Sequence, residues 1–121
     1  MEAAKTRKRI RKRLEQSAKR VNWLFWNLKR VQGRIDSGHY AAHVVRGELE
    51  PERDRLRMEI DEECAWAERD AQEIAEGYGE ATGDHETARL LSELVREFTE
   101  DYMREKHALE FLDEFIEPDY E

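Results

Sequence analysis

The stretch IRKRLEQSAKRVNWLFWNLKRVQGRI, residues 10–35, constrains this chain more than any other part of it. Positions 10, 14, 17, 21, 24, 28, 31 and 35 step alternately by four and three, and seven of the eight are Ile, Leu or Val; only Ser17 is polar. An α-helix turns once per about 3.6 residues, so a 4-3 rhythm held over more than about three heptads gathers these side chains into one narrow stripe. Such a helix must bury its stripe against other helices. The pattern returns twice. Leu56, Ile60, Cys64, Ala67, Ala71 and Ile74 repeat it mid-chain. Leu91, Val95, Phe98, Tyr102, Leu109, Leu112 and Ile116 repeat it near the end, with Glu105 the one interruption.

Three stripes predict an all-α fold: an up-down-up three-helix bundle of long heptad-patterned helices, with a short extra helix after the first. Only two prolines and six glycines are present, and no β-branched run alternates with polar residues, so a sheet is not expected. A single domain spans residues 1–121. A basic helix is expected over about 3–35, broken by Asp36-Ser37-Gly38, and a short helix over 39–46, interrupted by Gly47. The next helix is expected over 50–76, with Pro51 in its first turn, where the missing N–H costs nothing. One kinked helix over 39–76 is the alternative. GYGEATGD, residues 77–84, reads as a loop ending in Asp84 as an N-cap; an acidic helix then follows over 84–117, ended by Pro118. Short connections make neighbouring helices antiparallel.

The charged fraction of 41% would suit a disordered chain, but disorder does not carry a sustained apolar stripe, so long solvated helices are expected instead. The net charge of −8 hides a division. Residues 1–35 hold 12 Lys and Arg against two Glu, a balance of +10, whereas residues 36–121 hold nine against 27 Asp and Glu, a balance of −18. Such asymmetry concerns partners and internal pairing more than fold. Cys64 is alone, so no internal disulfide can form. No apolar run approaches the roughly 18 residues of a membrane span. The basic N-terminus lacks a following apolar segment, and its stripe continues into the fold, so it reads as neither a secretory nor an organelle leader. A cytoplasmic protein is the expectation.

The tryptophans depart from this economy. With Val21 and Leu24 on the stripe, Trp23 and Trp26 fall on the outer side of the first helix; with Cys64 on the stripe, Trp66 does the same on the third. Outward tryptophans beside Lys19, Arg20, Lys29 and Arg30 mark a protein-binding surface. The competing reading folds residues 39–46 back over Trp23 and Trp26, giving Tyr40, Val44 and Val45 a home. Two aromatics among basic residues would also suit a lipid headgroup layer. The cations Lys5, Arg7, Lys8, Arg9, Arg11, Lys12 and Arg13 could bind nucleic-acid phosphates, in a salt-dependent and sequence-blind way, because no base-reading motif accompanies them. Conversely, Glu93, Glu97, Glu100, Asp101 and Glu105 form a carboxylate row that could occupy the basic groove of a nucleic-acid enzyme.

No catalytic residue, metal ligand or cofactor is expected. His39 and His43 share an i, i+4 spacing, but zinc needs further ligands and no H-E-x-x-H motif is present. Carboxylates such as Glu59, Glu62 and Glu63 could hold magnesium for a hydrolase only with distant partners on the last helix, and a di-iron site would want Glu-x-x-His, which is missing. Cys64 lies on the stripe and reads as a small buried hydrophobe rather than a nucleophile. The chain therefore reads as a non-enzymatic macromolecule-binding protein, a modulator or inhibitor of a nucleic-acid-handling complex. The alternatives are a structural protein that forms homo-oligomers by pairing basic and acidic poles, and direct nucleic-acid binding by the first helix.

Overall fold

The computed structural model describes residues 3–103. Helix α1 (Ala3–Asp36) leads through a short turn into α2 (Ala42–Val44), a π-helical turn (Val45–Leu49) and α3 (Glu50–Thr82); α4 (His85–Glu97) follows and runs into a second π-helical turn (Phe98–Tyr102). The described chain is all-helical, and its three longer helices form a bundle. The expectations for Glu105, Leu109, Leu112, Ile116 and Pro118, with the rest of the expected helix to 117, lie outside the described residues.

Helix α1 carries its stripe inward over 34 residues, roughly 50 Å at about 1.5 Å per residue. Ile10, Leu14, Ser17, Val21, Leu24 and Val31 are buried, and Leu28 and Ile35 are half-buried against the same core. Opposite them α3 contributes Leu56, Ile60, Cys64, Ala67 and Ala71, then Ala75 and Tyr78. Ala67, Ala71 and Ala75 are completely buried, because side chains this short let α1 and α3 approach closely. From α4 come Leu91 and Val95, followed by Phe98 and Met103. Each large apolar side chain removed from water contributes about 1.5–3 kcal/mol before the entropy of ordering the chain is counted.

Pairings between helices fix their directions. Arg13 meets Asp70 at 2.9 Å and Arg20 meets Glu63 at 3.8 Å, so the chain number falls along α3 as it rises along α1. The Thr99 hydroxyl donates to Glu68 at 2.8 Å, while Gly79 packs against Ala88, so α4 in turn runs antiparallel to α3.

Two expectations need correction. The segment 39–46 is not a separate short helix ended by Gly47: α2 is a single turn that passes through the π-helical turn into α3, as in the continuous alternative. The reason lies in Pro51, whose ring would strike the carbonyl four residues back in a regular α-helix. The π-helical turn just before it, in which the Glu50 N–H donates to the Val45 carbonyl, widens the coil and relieves that clash. Second, the helix does not stop at residue 76 with a loop from Gly77. It continues to Thr82, because Tyr78 and Gly79 are buried contact residues. The true break is Gly83, whose φ of +75° is the left-handed cap that ends α3. Asp84 caps α4 as expected, its carboxylate accepting from the Thr87 N–H at 3.1 Å.

Candidate functional site

Trp23 and Trp26 are three residues apart on the outer side of α1, so they share a face. Both stand in solvent, at 56% and 58% relative exposure, and Trp66 on α3 is 51% exposed. The segment after α1 does not cover the pair, since Tyr40 is itself exposed and Val44 and Val45 pack toward the core. That overturns the internal-lid reading. Each indole of the pair carries a cation instead. The Arg20 guanidinium lies over the Trp23 ring at 5.7 Å from its centroid, and Arg30 lies over Trp26 at 4.9 Å. An arginine held against an indole face gains from the ring's quadrupole, by about 0.5–1 kcal/mol at an exposed site. The stacking also orders both side chains before any partner arrives, which lowers the entropy lost on docking.

The other cations assigned to this surface are less uniform. Lys19 is exposed but leans on Glu15 at 3.3 Å, one turn earlier. Lys29 lies to the far side of Trp26, where Asn22, Phe25, Leu28 and Arg57 join them around an open groove of about 740 Å³. Trp66 belongs to the face formed between α1 and α3, because it follows Glu63 by three residues and precedes Asp70 by four, the two residues that pair with α1. The three tryptophans thus form a close pair and a separate third.

The basic run divides in the same way. Lys5, Lys8, Arg9 and Lys12 are all exposed, and their i, i+3, i+4, i+7 spacing sets them on one helix face. Arg13 does not join them: it donates through Nε and Nη2 to Asp70 at 3.0 and 2.9 Å, and through Nη1 to the Ser17 hydroxyl. Arg11 pairs with Glu15 at 3.6 Å, and Arg7 is half-buried. The seven cations of the basic run are therefore not one patch: Arg13 is a bolt between two helices. The polar residue on the α1 stripe was its signal, since Ser17 is buried only because it bridges Arg13 to Glu63, donating to the latter at 2.7 Å.

On α4 and the π-helical turn that follows it, Glu93, Glu97, Glu100 and Asp101 are exposed, with Glu93 accepting from Arg89 at 2.7 Å. Among the described residues no group of three or more His, Cys, Asp or Glu is arranged to hold a metal ion. His39 lies in the turn before α2 and His43 within it, so the two imidazoles do not share a helix face. Cys64 is buried in the core. No helix among the described residues is long and apolar enough to cross a membrane. No family model, curated protein or solved structure matches this chain.

Proposed function

We propose that this is a non-enzymatic binding protein that docks a macromolecular partner through the outer side of α1, with Trp23 and Trp26 as anchors. The observation that carries this reading is the pair of indoles, more than half exposed and each stacked by an arginine; among the described residues the other exposed large apolar side chains are Tyr40, Met58, Trp66 and Leu90. Tryptophan and arginine are the residues most enriched at positions that dominate binding energy. The cations beside the indoles favour a partner surface that combines apolar sockets with acidic groups. The segregation of basic and acidic segments supports a role as modulator or inhibitor within a nucleic-acid-handling complex, which offers surfaces of both signs. The protein acts in the cytoplasm in this reading.

The test is capture from nuclease-treated extract of the source cells, with Trp23→Ala plus Trp26→Ala as control. A partner retained after nuclease by the wild type and lost by the variant is the expected result. Equal retention by the variant contradicts the proposal. Loss of all capture on nuclease treatment favours direct nucleic-acid binding by Lys5, Lys8, Arg9 and Lys12 instead.

A further inference from the structure

The face on which α1 and α3 lie side by side, away from α4, is divided lengthwise by charge. The Arg13–Asp70 and Arg20–Glu63 pairs run along its midline. Positions one helical turn from those arginines give α1 an exposed edge of Arg9, Gln16 and Trp23, without an acidic residue. Positions one turn from those carboxylates give α3 an edge of Glu59, Trp66 and Glu73, without a basic residue. Arg55 and Arg69 lie one step further round α3, where Glu52 and Glu59 hold Arg55 and Asp70 is 4.0 Å from Arg69. Helix α4 packs on the opposite flank of α3, through Glu68 and Gly79, and leaves this face clear among the described residues.

A face with a basic half and an acidic half, side by side and equally long, is complementary to itself. We infer that it pairs with the same face of a second copy, about a two-fold axis parallel to the bundle, so that each α1 edge lies on the other copy's α3 edge. That operator preserves height along the helices, so residues already level within one copy meet across the interface: Arg9 meets Glu73 of the second copy, and Trp66 meets its Gln16 and Arg20. A two-fold axis perpendicular to the helices would instead set basic α1 on basic α1, and like-charge rows in contact are repulsive. Two helices about 50 Å long and about 10 Å apart present on the order of 1,000 Å² per copy, which exceeds the roughly 800 Å² per partner of a stable interface. Trp26 lies off this face, whereas Trp23 and Arg20 border both it and the docking surface, so self-association is measured separately from partner capture.

Charge reversal tests it, because the symmetry dictates a rescue. Arg9→Glu plus Gln16→Glu makes the α1 edge acidic; Trp66→Lys plus Glu73→Lys makes the α3 edge basic. All four residues are exposed and lie outside the midline ion pairs, and circular dichroism checks that each variant keeps its helices. In light scattering the wild type is expected at twice the 14.5 kDa chain mass. Its dissociation constant should rise on the order of tenfold between about 50 mM and about 0.5 M salt. Each variant alone repels its own copy at both contacts and is expected as a monomer, while an equimolar mixture restores the dimer at low salt. A wild type that stays monomeric at every concentration overturns the inference. Variants that dimerise unaided, or a mixture that does not associate, overturn it equally.

Discussion

Ser17 occupies a place on the α1 stripe where any apolar residue would keep the rhythm, yet the Arg13 guanidinium and the Glu63 carboxylate both bond to its hydroxyl. A buried hydroxyl costs stability unless it is hydrogen-bonded, so this exception marks a deliberate polar tie between α1 and α3. Asp84 plays a comparable part at a helix end. The Thr87 hydroxyl and then the Thr87 N–H hold its carboxylate, which lowers its pKa below the ordinary aspartate value. A carboxylate whose pKa is lower in the folded state stabilises the fold above its unfolded pKa, and that contribution is lost as pH falls through the folded value. Asp84→Ala should therefore lower the urea midpoint at neutral pH, and the gap between variant and wild type should close in the acid range below pH ~4. Midpoints measured across that range check the sign; a gap that widens on acidification would show that the cap is not acting through its charge.

At the scale of the elements, the glycines of α3 separate two kinds of position that look alike in sequence. A Cβ at Gly79 would come within 2.9 Å of the Ala88 Cβ, so only glycine allows α4 to cross this closely, whereas nothing lies within 4 Å of a Cβ at Gly77. Gly79→Ala should destabilise the bundle by about 1–3 kcal/mol through overpacking. Gly77→Ala should stabilise it by about 0.5–1 kcal/mol by restricting the unfolded chain. Thermal unfolding of the two variants checks the opposite signs. The two long helices α1 and α3, the antiparallel order and the outward tryptophans were legible in the sequence, because a 4-3 stripe fixes which side of a helix meets its neighbours. The end of α3 was not, because three glycines in eight residues resemble a loop, and only the tertiary contact with Ala88 shows why two of them are helical. Extending the stripe through Ala75 to Tyr78 would have revealed it. Likewise, Gly47 and Pro51 resemble a break, since no local pattern announces that a π-helical turn will absorb the proline. Nor could a run of cations show that Arg13 turns inward while Lys12 does not.

Among the described residues the bundle's core closes without any of the three tryptophans. Apolar stripes from α1, α3 and α4 close on one another, and ion pairs bind α1 to α3, while Trp23 and Trp26 remain outside with arginines stacked upon them. In the proposed docking role the indoles serve recognition, while the stripes serve folding. Equilibrium denaturation of Trp23→Ala plus Trp26→Ala tests that division most directly. The two arginine stacks contribute about 0.5–1 kcal/mol each and surface side chains otherwise little, so the variant should unfold within about 2 kcal/mol of the wild type. A loss of about 3 kcal/mol or more, the size expected for truncating a buried aromatic, would place the tryptophans within the fold and contradict the account.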